Sequence, residues 1–291
     1  MPSSNTLPDY ITSHVHEIAK SEGFTSYTIE SKAGSNHGDN LVAIMNAITL
    51  CGTKTENCTT EKLHLLCKEA PANETRRKHF NSEMIFNREI FVYSKILPAF
   101  ARFQKEKGLS EADSFVSFPE VYAFEANQDD GSFLLIMEDL KAKNYKMWPK
   151  EKIIALDHEL LVMKNLAKFH AISFAMKDQR PNEFDEFTRL QDTFVPIVVT
   201  GKMRSFNNKS IERAANVLKR QEHKKLMLDF LHTFGDTIKE FLCGASSREF
   251  GVIGHGDCWN NNFMFSYFDE QGKSPKDVSF LDWQLTHYCP P

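Results

Sequence analysis

The stretch His255-Gly-Asp-Cys-Trp-Asn-Asn-Asn262 is followed, after an apolar–turn–apolar pattern, by Leu281-Asp-Trp-Gln284. The first stretch places Asp257 and Asn262 five positions apart in one short loop, and the second supplies another carboxylate, Asp282. Carboxylate and amide oxygens are the hard ligands that Mg²⁺ prefers in proteins. The spacing therefore predicts that Asp257 is a catalytic residue that orients a hydroxyl group, and that Asn262 and Asp282 bind Mg²⁺.

The flanking segments have the pattern that such a loop needs. Phe250–Gly254 is apolar and leads into the loop like a short strand, and Asn262–Phe268 leaves it as another. Asp269–Pro275 has the composition of a turn, and Asp277–Leu281 predicts a third strand that ends at Asp282. Strand, loop, strand, turn and strand is the context in which this motif serves phosphoryl transfer. The alternative, a merely polar turn of Asp and Asn, is disfavoured by the second aspartate after the hairpin.

The two motifs resemble those of small-molecule kinases related to choline kinase and the aminoglycoside phosphotransferases. Trp259 and the Asp-Trp-Gln ending look most like the ecdysteroid-kinase-like (CHK-like) branch. The resemblance extends from about residue 30 to the end of the chain. It implies an α+β, bilobal protein-kinase-like fold, with ATP and Mg²⁺ as cofactors. It also implies a small-molecule acceptor with a hydroxyl group, of the ecdysteroid type or a similar lipophilic alcohol.

A lysine and a glycine-containing turn in the first half suit phosphate binding. Ala33–Asn40 separates two apolar, β-branched segments, and backbone N–H groups in such a turn can point at phosphates. An ordinary hairpin turn is the alternative. Lys68 lies near the end of the predicted strand Glu61–Pro71, where a phosphate-binding ammonium belongs. By resemblance to the kinases, the turn residues that contact nucleotide are Gly38, Asp39 and Asn40.

The segment Glu74–Leu97 has helical periodicity, and Pro98 predicts its end. The resemblance implies that a glutamate on this helix positions Lys68. Glu89 is preferred because its surroundings look like the family's helix, and Glu83 is the competitor.

The first lobe is predicted over residues 1–143 as a five-stranded antiparallel sheet with a helix. Its last strand, Ser132–Glu138, leads into a segment that looks like the hinge of kinases, where backbone groups of Glu138 and Leu140 would bind adenine. The second lobe, residues 144–291, is predicted to be mainly helical and to carry the catalytic and metal-binding loops. Because related kinases continue well beyond the equivalent of Pro291, this lobe is expected to be incomplete.

Two helices are predicted in the second lobe. Trp148-Pro149 is expected to open the first, with one apolar face, and His170 is expected to be a hydrogen-bonded core residue on that face. The second is expected over Ile211–Cys243, broken near Gly235. The predicted face of the first helix consists of Ile153, Leu156, Leu160, Met163, Leu166, Ala167 and His170.

Composition excludes several classes of function. The net charge of −4 offers no electrostatic case for nucleic-acid binding. The sequence has no apolar run of about eighteen residues, so no membrane span is expected. Met1–Pro8 lacks the charged and apolar regions of a signal peptide, and the six scattered cysteines suit a reducing compartment, so a cytoplasmic protein is predicted. The sequence makes no prediction of the oligomeric state.

Two other interpretations of the kinase-like pattern are weighed. A catalytically impaired, truncated nucleotide-binding or interaction protein is motivated by the early end of the chain, although none of the expected Lys, Asp and Asn residues is lost. A protein kinase would fit the loop spacing, but the His-Arg-Asp, Asp-Phe-Gly and Ala-Pro-Glu signatures are missing.

Overall fold

A computed structural model describes residues 7–34, 43–54, 59–127, 131–190, 193, 195–196, 203–243 and 249–291. The fold class is α+β, as predicted. The chain divides into two compact units, each assembled from three separate stretches. The sheet unit contains Met1–Ser94, Ser117–Val162 and Trp259–Leu281, and the helical unit contains Lys95–Val116, Met163–Cys258 and Asp282–Pro291. This division follows packing, and the lobe boundary at residues 143/144 stays a prediction.

The sheet unit is built on a five-stranded antiparallel sheet, which confirms the sequence prediction. Its strands lie in the order β1-β2-β3-β5-β4. The strands are β1 (Phe24–Ala33), β2 (Ile44–Lys54), β3 (Thr60–Glu69), β4 (Val121–Asn127) and β5 (Ser132–Glu138). Side chains alternate between the two faces of a strand, so Leu65 and Cys67 of β3 point to one face and Lys68 to the other. Helix α1 (Asp9–Ser21) covers the first face with Ile11, Val15 and Ile18.

The helical segment after β3 differs from its prediction. It consists of α2 (Glu74–Phe80), α3 (Ser82–Phe91), a π turn (Val92–Ile96) and α4 (Leu97–Glu106). The expectation that it ends at Pro98 is wrong, because Pro98 lies in the first turn of α4. A proline there loses no hydrogen bond, since the first N–H groups of a helix have no partner within it. The π turn just before Pro98 changes the hydrogen-bond pattern where the proline ring would otherwise meet the preceding turn.

A second, three-stranded sheet in the sheet unit carries the hairpin predicted near the catalytic loop. Its order is β6-β8-β9, with β6 (Lys146–Met147), β8 (Phe263–Tyr267) and β9 (Pro275–Phe280). Phe263 at the start of β8 pairs with Phe280 at the end of β9. The buried His158 packs on this sheet, with its ring centroid 4.8 Å from Phe265 and its Nε2 3.2 Å from the hydroxyl of Tyr267.

The helix predicted from Trp148 begins later and buries a different face. It is α5 (Leu156–Gln179), and Trp148-Pro149 precedes it. The predicted face is largely exposed, including Leu160 and Met163, and Ile153, which lies before the helix, is 94% exposed. The buried face contains Val162, Phe169, Ile172 and Met176. The helix carries apolar residues on two stripes of helical spacing, and periodicity alone does not select the one that meets the core.

The helical unit also contains α6 (Pro181–Thr188), α7 (Met203–Val217), α8 (Gln221–Cys243) and the paired strands β7 (Val252–Gly254) and β10 (His287–Cys289). The predicted break at Gly235 is wrong, because α8 is continuous there and the chain turns between Val217 and Gln221. An aromatic cluster forms the core, with ring centroids 5.0–5.3 Å apart for Phe115–Phe169, Phe169–Trp283 and Phe100–Phe169. Within the described residues, no helix is long and apolar enough to cross a membrane.

Candidate functional site

In the sheet unit, Lys68 and Glu89 form a buried ion pair. Lys68 lies on β3 and Glu89 on α3, and the lysine Nζ is 2.6 Å from the glutamate Oε2. The lysine residue is 8% exposed and the glutamate 1%. The alternative partner Glu83 is exposed on the same helix. Two charges removed from water stay ionised only when paired this closely, so the pair fixes the lysine ammonium on the face of the sheet opposite α1.

The structure describes only the start of the turn that is predicted to bind phosphate. Gly38, Asp39 and Asn40 lie outside the described residues. Before them, the N–H of Gly34 donates to the carbonyl of Met45 at 2.8 Å. A Cβ on Gly34 would lie 2.8 Å from Leu66 Cδ1 and 3.2 Å from the backbone nitrogen of Ala47, so a larger residue would require the Leu66 side chain to move and would crowd the neighbouring strand. Sequence analysis did not single out Gly34, although a glycine directly after a strand rich in β-branched and aromatic residues is a signal of close backbone approach.

The predicted hinge residues lie where β5 ends. The N–H of Glu138 donates to the carbonyl of Glu120 at 2.9 Å, and the Glu138 carboxylate accepts from the N–H of Glu120 at 3.0 Å. The carbonyl of Leu140 accepts from the N–H of Tyr145 at 3.0 Å. One residue further, the Lys141 ammonium donates to the carbonyl of Gly34 at 3.0 Å, which ties the hinge to the end of β1.

In the helical unit, the segment before Asp257 packs tightly on the turn after Asp282. Gly256 has a φ of +84°, and a Cβ there would lie 2.0 Å from the carbonyl oxygen of Leu285. The ring of His255 lies 4.4 Å from that of Trp283, centroid to centroid. Any side chain at position 256 would separate the two segments, so the glycine in the His-Gly-Asp motif is a packing requirement. The sequence analysis quoted this glycine without assigning it a role.

The hairpin of the sheet unit places Asn262 beside the residue that precedes Asp282. The N–H of Leu281 donates to the backbone carbonyl of Asn262 at 2.9 Å. Asn262 is buried, and its own N–H donates to the carbonyl of Trp259 at 2.9 Å, which closes the loop into a short 3₁₀ turn. The hairpin thus fixes Asn262 beside Leu281 within the sheet unit.

Asp282 adopts a left-handed backbone conformation with a φ of +64°. Aspartate and asparagine tolerate this region better than other non-glycine residues. The amide Nε2 of Gln284 donates to Oδ2 of Asp282 at 3.2 Å, so the Asp-Trp-Gln motif orients its own carboxylate. Sequence analysis used the glutamine for recognition only; its spacing of two residues from Asp282 was the available signal for this contact.

The family model described as the ecdysteroid kinase-like family matches residues 37–291. The chain belongs to the ecdysteroid kinase-like family. This confirms the resemblance expected from the two motifs, and it makes the chain a small-molecule kinase-like protein. No curated protein matches the sequence.

The residues of this ecdysteroid kinase-like protein fit Mg²⁺ and ATP in their donor chemistry. Asn262 and Asp282 offer an amide and a carboxylate oxygen, and Mg²⁺ is usually held by one or two carboxylates together with substrate phosphates and water. No group of three or more His, Cys, Asp or Glu that could hold a metal is found in the described part of the chain. A site of this type needs no such group, because phosphate oxygens supply further ligands.

Cys258 lies between Asp257 and Trp259 in the loop of the ecdysteroid kinase-like protein. Desolvation and the charge of Asp257 raise the pKa of the Cys258 thiol to about 11. A thiol with this pKa is protonated at neutral pH and is a poor nucleophile or metal ligand. Cys258 is exposed, so neither reactivity nor core packing is assigned to it.

Proposed function

We propose that this protein transfers the γ-phosphoryl group of ATP to a hydroxyl group of a small molecule. The observation that carries the proposal is the buried ion pair of Lys68 and Glu89, because a lysine held in this way presents a fixed positive charge for phosphate oxygens. The motif around Asp257, Asn262 and Asp282, within the region matched by the family, supports the same chemistry.

Five residues take part in the proposed reaction. Lys68 binds phosphate oxygens and Glu89 positions its ammonium. Asp257 accepts a hydrogen bond from the acceptor hydroxyl and orients its oxygen toward the phosphorus. Asn262 and Asp282 would hold Mg²⁺, which when bound neutralises charge on the phosphate oxygens. The acceptor is proposed to be an ecdysteroid or a similar lipophilic alcohol, as the family description suggests.

The adenine contact is proposed at the backbone of the hinge. Because the N–H of Glu138 already donates to Glu120 and the carbonyl of Leu140 accepts from Tyr145, the groups proposed for adenine are the Glu138 carbonyl and the Leu140 N–H. A hydrogen-bond acceptor and a hydrogen-bond donor that are two residues apart match the amino group and the ring nitrogen of adenine. Gly38, Asp39 and Asn40 are proposed to cover the phosphates with backbone N–H groups.

The test is ADP formation that depends on an added acceptor, measured with a panel of small alcohols that includes ecdysteroids. Asp257→Asn is expected to bind ATP normally and to lower kcat by about 10²–10⁴-fold, because the amide cannot accept the hydroxyl proton. The matched control is Asp277→Asn, which changes an exposed aspartate on β9. An unchanged kcat in Asp257→Asn would refute the assignment. ATP binding without turnover of any acceptor would favour the non-catalytic alternative.

A further inference from the structure

A cavity of about 130 Å³ lies between α7 and α8 in the helical unit. Two residues of its lining come from α7 and six from α8. They are Arg204, Asn208, Leu231, His232, Phe234, Gly235, Asp236 and Lys239. None of them belongs to the motifs of the proposed phosphoryl transfer, and no role has been assigned to this cavity above.

The charges around the cavity are not neutralised within the described protein. Arg204 and Lys239 each carry a positive charge, and neither makes an ion pair or hydrogen bond with another described residue. Asp236 is the single acidic residue of the lining, so the cavity is positive by one charge with His232 neutral. Elsewhere on α8, Lys225 pairs with Asp229 at 2.5 Å. Lys239 follows Asp236 by three positions on the same helix, yet the two form no ion pair within the described protein.

Two features of the helices favour an anion bound in the cavity. Gly235 lies in the interior of the continuous helix α8, where glycine is about 1 kcal/mol less favourable than alanine. Its missing side chain leaves room in the cavity. Arg204 lies in the first turn of α7, which contains no acidic residue. A positive charge there opposes the helix dipole, and an anion bound beside it would relieve that repulsion.

We propose that this cavity binds one anionic group of a small organic molecule, a carboxylate, sulfate or phosphate. The Arg204 guanidinium can bind two oxygens of such a group, and the Lys239 ammonium and the Asn208 amide supply further donors. Leu231 and Phe234 offer apolar contact for the body that carries the anion. Asp236 disfavours groups of high negative charge and favours a single one.

The cavity lies in the same unit as the loop of Asp257. Helix α8 contacts β10, and β10 pairs with β7, the strand that leads into that loop. Among lipophilic alcohols, we expect the acceptor to be one that carries an anionic group in addition to its hydroxyl, rather than a neutral ecdysteroid. This last step rests on the proposed function, whereas anion binding to the cavity does not.

Binding is tested first, without any turnover. Sodium sulfate and sodium hexanoate are titrated into the whole chain at low ionic strength, with NMR or calorimetry as the readout. Both anions are expected to bind at one site. Arg204→Gln and Lys239→Gln are each expected to weaken binding by about tenfold, as loss of a charge-assisted hydrogen bond does. Arg213→Gln, which removes the same charge from α7 outside the cavity, is expected to leave binding unchanged.

A variant of Gly235 separates loss of the site from loss of the fold. Gly235→Met fills the cavity while improving the helix propensity of α8, so it is expected to abolish binding without lowering Tm. The proposal is overturned if neither anion binds, or if Arg204→Gln and Arg213→Gln affect binding equally. Tighter binding of hexanoate than of sulfate identifies an organic anion with an apolar body, and the reverse identifies a free inorganic anion as the ligand.

The link to the acceptor is tested by kinetics. If it holds, Arg204→Gln raises KM for an alcohol that carries a carboxylate and leaves KM for the matched neutral alcohol unchanged. Equal KM values for the acidic alcohol in the two proteins would refute the link. If no alcohol is phosphorylated at all, the proposed function fails, and the binding titration still decides whether the anion site exists.

Discussion

At the scale of single residues, Glu89 and Glu83 lie on the same helix and differ in what surrounds them. Glu89→Gln leaves the Lys68 ammonium buried without its 2.6 Å carboxylate partner. Breaking a buried ion pair by removing one partner costs about 3–5 kcal/mol. We expect a loss of unfolding free energy in this range, measured by urea denaturation, and a higher KM for ATP. Glu83→Gln changes an exposed carboxylate of the same helix and is expected to leave both values unchanged. Equal effects of the two variants would show that Glu89 does not position Lys68.

Gly256 and Gly254 offer a second comparison between neighbouring residues. Gly256→Ala combines a left-handed φ of +84° with a Cβ at 2.0 Å from the carbonyl oxygen of Leu285. We expect a loss of roughly 2–4 kcal/mol in unfolding free energy, from strain and steric overlap together. A Cβ on Gly254 would meet Cys289 Sγ at 3.6 Å, an ordinary contact, so Gly254→Ala is expected to be tolerated. A stable Gly256→Ala variant would contradict the close packing of the two loops.

The residues of the predicted site differ in how far the sequence alone indicates their roles. Asp257, Asn262 and Asp282 could be proposed from the sequence because their spacing along the chain fits a loop and a hairpin, and their roles stay predictions. The choice of Glu89 over Glu83 needed a family resemblance, since both glutamates have helical surroundings. The contact of Gln284 with Asp282 and the role of Gly256 depend on interatomic distances, which no sequence pattern contains.

At the scale of elements, His158 holds the start of α5 on the sheet formed by β6, β8 and β9. Burial lowers the pKa of His158 below its ordinary value near 6.5, and the charge of Asp157 opposes this only in part. The native state therefore binds fewer protons than the unfolded state below pH 6.5. The stabilisation by neutral His158 is present above pH 6.5 and is lost as the pH falls below it.

The lowered pKa of His158 predicts how the stability of a variant without the imidazole depends on pH. In His158→Gln, the decrease in unfolding free energy between pH 7.5 and 5.5 is expected to be smaller than in the wild type. His170, whose pKa is also lowered by burial, keeps part of the decrease in both proteins. The control His223→Gln changes an exposed histidine and is expected to keep the wild-type pH dependence. Identical pH profiles of the wild type and His158→Gln would contradict the prediction.

The errors of element prediction share a physical cause. The strands β1 to β5 were found because alternation, aromatic content and turns all favour them. The buried face of α5 was assigned wrongly because Leu160 and Phe169 lie on different apolar stripes of one helix. The end of a helix predicted at Pro98 is replaced by a π turn that leads into α4, and the break predicted near Gly235 is absent because α8 is continuous there. Tertiary contacts overrode local preference at each of these places.

At the scale of the whole molecule, each compact unit is assembled from distant parts of the chain. The β8–β9 hairpin belongs to the sheet unit, although more than a hundred residues separate it from β5. Periodicity reports on neighbours along the chain, so the hairpin could be predicted but its unit could not. Asn262 belongs to the sheet unit and Asp282 to the helical unit, so their predicted roles are tested on the entire protein.

If the proposed function holds, Mg·ATP is expected to stabilise the folded protein against unfolding. A ligand that binds only the native state stabilises it by about 2.7 kcal/mol at 100 times its Kd. For a protein of 291 residues that corresponds to a rise in Tm of roughly 4–5 °C, which differential scanning calorimetry can measure. Asp282→Asn keeps a residue that tolerates a φ of +64° and removes the carboxylate charge, so Tm without ligand is expected to stay near that of the wild type.

The same variant separates the metal from the nucleotide. In the wild type, ATP with excess EDTA is expected to raise Tm less than Mg·ATP does, because Mg²⁺ held by Asn262 and Asp282 would add to the affinity for the nucleotide. In Asp282→Asn the two values of Tm are expected to converge, since the carboxylate that would hold the metal is gone. A Tm rise that is the same with Mg²⁺ and with EDTA in the wild type would refute Asp282 as a metal ligand. If the rise in Tm with Mg·ATP is lost equally in Asp282→Asn and in the control Asp277→Asn, the result would instead indicate a general effect of charge.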